Sequence, residues 1–301
     1  MEIKQDKAWQ QAISCLPPPR AAQLAALDRQ GEVEELRLRA GQPPAAKTAE
    51  GEQPLDLRPV TAQELRETLS RAARYSVHSY AESLKNGFVT LGGGHRLGVC
   101  GTVAEENGQV VGVRGLASLN LRIARQFTGL AAQIAPWIGD GAPQSVLLLS
   151  PPGLGKTTLL REWVRLISDK GYTVAVADER SEIAALADGV PQFDVGRCTD
   201  VMEGCDKKQA ALMLLKTMSP ALLAFDEITA PADVEAVSLC AHCGTAVIAS
   251  AHAANVDDLR QRPLYRALLE LGVFGRAVVI TRKGQERCYR MERLEEVTCS
   301  S

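Results

Sequence analysis

The sequence predicts an α/β fold: a doubly wound core in the second half, preceded by a smaller α+β domain in the first. Three observations predict it. In the second half, short and nearly continuous apolar runs at 146–149, 173–177, 221–225, 245–249 and 277–280 are separated by helical patterns, as in a parallel sheet covered on both faces. The first half alternates Leu with charge at 34–39, and from 87 to 123 carries glycine-punctuated β-branched runs at 88–90, 97–99, 110–113 and 119–123. Between the halves, 128–143 reads as a passage, giving expected domains of 1–140 and 141–301.

Local signals place individual elements. Pro17, Pro18 and Pro19 read as a break, and 61–75 reads as a helix. Thr61 can cap that helix, with Glu64 three residues on as in a capping box and Leu65 and Leu69 on one face. Asn107-Gly108 is a hairpin turn signal between two of the β-branched runs.

Composition narrows the function classes. With 301 residues, 46% of them apolar, the chain can bury a sizeable core. A formal charge of −2, spread evenly over the halves, supplies no basic arm, so nucleic acid is not an expected partner. No apolar run approaches the roughly 20 residues that span a bilayer, and 1–11 is polar, so a cytoplasmic location is expected. The eight cysteines, at 15, 100, 198, 205, 240, 243, 288 and 299, are too scattered for a disulfide framework and are expected to be reduced. Cys240 and Cys243 form a lone CxxC with no second pair at matching spacing, which reads as a helix face, not a zinc site.

The chemistry begins at Ser150-Pro151-Pro152-Gly153-Leu154-Gly155-Lys156-Thr157-Thr158, which matches the phosphate loop G-x-x-x-x-G-K-[ST] except for Ser150 at its first glycine. Leu147 to Leu149 supply the strand feeding it, while Leu159, Leu160, Trp163, Val164 and Ile167 form the buried face of the helix leaving it. Gly153 and Gly155 allow backbone amides to turn toward phosphate oxygens at a helix N-terminus. Lys156 would reach the β- and γ-phosphates of ATP, and Thr157 would offer its hydroxyl to magnesium. Asp226 and Glu227 end the run 221–225: Asp226 would hold the magnesium shell, partly through water, and Glu227 would orient or deprotonate the attacking water. Asp178, Glu179, Arg180 and Glu182 follow one further strand and Ser250-Ala251-His252 another, at the sheet end where open α/β folds bind ligands.

The order of these segments, with Ser219-Pro-Ala-Leu-Leu-Ala-Phe-Asp-Glu-Ile228, resembles the stage III sporulation protein AA family. The likeness extends to Glu35-Leu-Arg-Leu-Arg39, Gly92-Gly-Gly-His-Arg-Leu-Gly-Val-Cys-Gly101 and Ser118-Leu-Asn-Leu-Arg-Ile-Ala-Arg125. That resemblance implies a P-loop NTPase core, RecA-like and of secretion-ATPase type, using ATP and Mg2+. Asp178 to Glu182 would then be an aspartate box and His252 a histidine box. Arg96, Arg122 and Arg125 would be first-domain arginines that reach the nucleotide within a subunit or across a hexameric ring. It also implies a place beside the membrane-embedded channel joining mother cell and forespore. Two other classes stay open: an ATP-gated scaffold with little hydrolysis, to which Ser150 lends weight, and a DNA-dependent motor of the same core fold. Ser150 for glycine and Thr229 after Asp-Glu-Ile depart from the family pattern.

Overall fold

A computed structural model describes residues 6–28, 30–73, 87–106, 109–125, 130–187, 189–284 and 286–294. The chain forms two compact units, Met1–Arg125 with Ala185–Gln192, and Gln126–Ala184 with Phe193–Ser301.

In the first unit, helices α1 (Lys7–Ile13), α2 (Pro18–Ala25) and α3 (Ala62–Ala73) accompany strands β1 (Glu35–Arg39), β2 (Ala45–Thr48), β3 (Gly51–Pro54), β4 (Phe88–Thr90), β5 (Arg96–Glu106) and β6 (Gln109–Arg122). These strands form an antiparallel sheet in the order β3-β2-β1-β6-β5-β4. The alternation of Leu with charge in β1 is used as expected, with Leu36 and Leu38 buried and the charged residues between them half-buried. Leu36 and Leu38 join Trp9, Leu65, Leu97, Leu119 and Leu121 in the core.

The capping box forms: the Glu64 amide donates to Thr61 Oγ1 at 3.1 Å, and the Thr61 amide donates to Glu64 Oε2 at 2.9 Å. Pro18 corrects the expected break, because it occupies the first turn of α2, where a missing N–H costs nothing. The runs 110–113 and 119–123 are one long strand rather than two. The expected turn at Asn107-Gly108 and the helix tail at 74–75 lie outside the described residues.

The second unit contains helices α4 (Ala131–Ile138), α5 (Lys156–Asp169), α6 (Lys207–Thr217), α7 (Pro231–His242), α8 (Val256–Gln261) and α9 (Pro263–Glu270). Its strands are β7 (Val146–Leu149), β8 (Val174–Asp178), β11 (Thr199–Glu203), β12 (Leu222–Glu227), β13 (Ala246–Ala251), β14 (Arg276–Lys283) and β15 (Glu286–Arg293). The short β9 (Leu186–Ala187) and β10 (Val190–Pro191) pair with each other and belong to the first unit. The main sheet runs β11-β8-β12-β13-β7-β14-β15, parallel throughout except for the antiparallel β15.

All five apolar runs of the sequence became central strands, because a strand buried on both faces has no solvent side on which to alternate. The edge strands β11 and β15 lack such runs and were not anticipated. Helix α4, within the expected passage, packs on α5 and so belongs to the second unit. No helix among the described residues is long and apolar enough to cross a membrane.

A candidate nucleotide site at the carboxyl ends of the parallel strands

Strand β7 is buried throughout and delivers the chain into the loop 150–155, after which α5 starts. Gly153 has φ 79° and Gly155, the helix N-cap, has φ 90°, backbone that L-residues rarely adopt. Ser150 does not share this requirement, since the only described non-glycine residues with positive φ are Ser181, Ala185 and Ser219. A side chain is therefore accommodated at the first loop position. The buried Ser150 hydroxyl donates to the Pro151 carbonyl at 2.7 Å. Pro151, Pro152 and Gly153 are exposed, whereas Leu154, Gly155, Thr157 and Thr158 are half-buried.

Lys156 is 7% exposed and folds back along the loop, with Nζ 3.2 Å from the Ser150 carbonyl and 2.7 Å from Nδ1 of His252. Burial lowers its pKa, against the pull of Glu227 and Asp226. Because an ammonium can only donate, His252 Nδ1 accepts and the ring proton sits on Nε2, which lies 2.7 Å from Glu227 Oε1. Tyr265 fixes the backbone around this chain: its hydroxyl accepts from the His252 amide at 3.2 Å and donates to the Ile228 carbonyl at 3.2 Å.

The acidic pair is set by an irregularity in pairing. The register of β12 against β13 shifts between Phe225 and Glu227, and such a bulge re-aims side chains that strict alternation would send to opposite faces. Asp226 Oδ1 lies 3.4 Å from both Thr157 Oγ1 and Ser250 Oγ, while Glu227 reaches His252. Burial pushes the Asp226 carboxyl up to about 7, with the negative charges of Glu182, Asp178 and Glu227 adding to the effect and Lys207 opposing it.

Among the described residues no group of three His, Cys, Asp or Glu side chains is placed to hold a metal ion. A hydroxyl and a carboxylate among crowded acids do fit a hard divalent cation that keeps waters and takes its remaining ligands from phosphate, as Mg2+ does.

The acidic residues at and after the end of β8 each take a specific partner. Asp178 is fully buried, and its carboxylate accepts the amides of Glu182 at 2.8 Å, Ile183 at 3.0 Å and Ala184 at 2.8 Å. It shapes the loop after β8 rather than presenting a free carboxylate. Glu179 pairs with the buried Lys207, which also lies 3.7 Å from Asp233. Asp233 in turn accepts the amides of Thr229 at 2.7 Å and Ala230 at 3.0 Å, so this network ties Glu179, just after β8, to the turn that follows Glu227.

Arg161, on α5, donates to the carbonyls of Ile183 and Glu182, both at 2.6 Å, and its guanidinium lies 3.8 Å from the centroid of the Phe193 ring. Burial brings its pKa down to about 10. Sequence reasoning missed Arg161, Lys207 and Tyr265, since each acts on partners remote in sequence and belongs to no motif, and it missed Asp233, whose local amides at Thr229 and Ala230 give a helix-start signal it did not read. Cys240 is buried in α7 and Cys243 is exposed at its C-cap; burial pushes the Cys240 thiol up to about 12.

The first-domain arginines divide into two kinds. Arg96 and Arg122 face each other across β5 and β6, and the Arg96 guanidinium lies 4.5 Å from the Phe88 ring centroid. Arg125 differs from the expectation: its guanidinium is spent inside the first unit on Asp6 at 3.0 Å, the Val33 carbonyl at 2.6 Å and the Gln30 carbonyl at 2.8 Å. It is a brace, because all three nitrogens already have acceptors.

The model of the family described as sporulation stage III, protein AA matches residues 22–290. This chain belongs to the sporulation stage III protein AA family. It is 38% identical over 257 residues to stage III sporulation protein AA of Bacillus subtilis, covering 83% of each chain. Among solved structures, the family fold seen here resembles the pilus retraction motor PilT with bound ADP at a TM-score of 0.59 and 16% identity, covering 87% of this chain and 79% of that one. The ATPase DotB of Legionella pneumophila follows at a TM-score of 0.57 and 14% identity, covering 86% and 76%. The fold of this sporulation-family chain is thus the P-loop NTPase fold that PilT and DotB share, accompanied by a smaller α+β unit.

Proposed function

We propose that this protein is a magnesium-dependent ATPase whose hydrolysis drives assembly of, or transport through, the channel between mother cell and forespore. The observation that carries the reading is the chain Lys156–His252–Glu227, with both heavy-atom gaps at 2.7 Å, beside Thr157 and Asp226. Lys156 binds phosphate oxygens, together with the amides that Gly153 and Gly155 turn inward. Glu227 orients the attacking water and accepts its proton, while His252 Nε2–H fixes the carboxylate. Thr157 and Asp226 would hold Mg2+, which when bound neutralises charge developing on the phosphates.

In meeting phosphate, Lys156 has to leave His252 Nδ1, so arrival of nucleotide is felt at Glu227 through the imidazole. Glu182 adds negative potential at Asp226, and Glu179 holds Lys207. Arg96 and Arg122 are the first-unit cations assigned to the γ-phosphate, where a guanidinium stabilises transition-state charge. A homohexameric ring in the mother-cell cytoplasm, docked on membrane-embedded channel proteins, is the assembly in which such a motor would act.

Phosphate release by purified protein with magnesium, against a Lys156→Ala control, tests the reading. Release no greater than that control, at high protein concentration and with membrane partners added, would refute it. Glu227→Gln separates a motor from an ATP-gated scaffold: the motor binds ATP and loses function, whereas the scaffold keeps it.

A further inference from the structure

Arg287, on β15, approaches the phosphate loop from the flank opposite the acids. A β-carbon placed on Gly155 would stand 3.3 Å from both Cζ and Nη1 of Arg287, so the guanidinium rests against the residue that opens α5. Arg287 is exposed and forms no ion pair with any described residue.

The hairpin that carries it is an overhang. Pairing of β14 with β7 ends at Val279 and Leu149, but β14 runs on to Lys283, and β15 pairs along its whole length. Residues 280–283 and 286–289 therefore stand past the carboxyl end of β7, where the loop begins. The register also sets Arg282 directly across from Arg287.

Sheet order decides which anion. In the sequence of strands β12-β13-β7-β14-β15, Asp226, Glu227 and His252 reach the loop from the β12 and β13 side, and Arg287 reaches it from the β14 and β15 side. Metal and γ-phosphate chemistry belongs to the acidic flank. We infer that Arg287 binds the α- and β-phosphates, the part of the nucleotide that ATP and ADP share. This rests on the nucleotide reading above and adds to it a clamp that retains a nucleoside diphosphate after hydrolysis.

The test is a fluorescence titration of wild type, Arg287→Gln, Arg287→Lys and Lys156→Ala with a labelled ADP and a labelled nonhydrolysable ATP analogue. A charge-assisted contact made equally to both nucleotides predicts that Arg287→Gln weakens both by the same factor, about tenfold or more. Arg287→Lys recovers part of the loss, and KM for ATP rises. The unliganded melting temperature stays at the wild-type value. Equal affinity for ADP in Arg287→Gln and wild type overturns the inference, as does a loss confined to the ATP analogue or a fall in the unliganded melting temperature. Wild-type protein that bound neither nucleotide would instead refute the phosphate-loop reading itself.

Discussion

Nζ of Lys156 and Nδ1 of His252 are 2.7 Å apart, which fixes the imidazole as acceptor toward the loop and donor toward Glu227. One ring thereby reads the lysine that meets phosphate and holds the carboxylate that meets water. Removing the ring as His252→Ala is expected to lower kcat about tenfold to a hundredfold, the lower range for groups that orient a general base. Affinity for ADP should change much less. Steady-state phosphate release alongside an ADP titration checks both, and an unchanged kcat would place His252 outside the reaction.

Arg161 bridges α5 to the loop that Asp178 shapes. Arg161→Met leaves two buried carbonyls without donors and removes the cation over Phe193, at an expected cost of about 3 kcal/mol. A urea midpoint for the second unit measures it. Arg161→Lys keeps the charge but lacks the planar fork, and should recover less than half.

Acidification should weaken the first unit in two steps. Burial, reinforced by the charge of Arg125 and opposed by Asp6, depresses His95 from 6.5 to about 4. A depressed folded-state pKa gives stability that is present above the unfolded value and lost as pH falls through the folded one. The window for His95 is therefore about pH 6.5 down to 4, worth on the order of 3 kcal/mol. Burial alone would raise Glu64, but the Thr61 amide and the guanidiniums of Arg20 and Arg58 outweigh it and hold Glu64 at about 2 instead of 4.5. Its contribution is lost between those values by the same sign. Hydrogen exchange in β1 and β6 across this range should lose its upper step in His95→Gln and its lower step in Glu64→Gln.

Gly153 and Gly155 both adopt positive φ, yet only Gly155 meets a guanidinium where a β-carbon would go. Alanine at either position costs about 1–2 kcal/mol of backbone strain. Gly155→Ala also displaces Arg287, so it should weaken ADP binding several-fold more than Gly153→Ala. Equal losses would show that the hairpin makes no contribution at the loop.

Much of this was legible in the sequence. The strand, loop and helix from Val146 to Asp169 were readable because buried runs, glycine turns and helical periodicity are set by neighbours within a few residues. The same holds for the Thr61 and Glu64 capping box, which closes over three positions. Short-range signals also misled: three prolines read as a break where Pro18 starts a helix, because proline's fixed φ suits a first turn as well as a loop.

What the sequence by itself determined is the five central strands of the second unit, the loop and helix that follow the first of them, and the chemical types gathered at the ends of the parallel strands. The tertiary structure alone decided which partner each polar group takes. Asp178 is committed to three amides, Arg125 to three acceptors in its own unit, His252 to both Lys156 and Glu227, and Arg287 to the far flank of the loop. The reason is that periodicity is a local property of the chain, whereas a buried charge must be satisfied by whichever strand end the topology sets beside it.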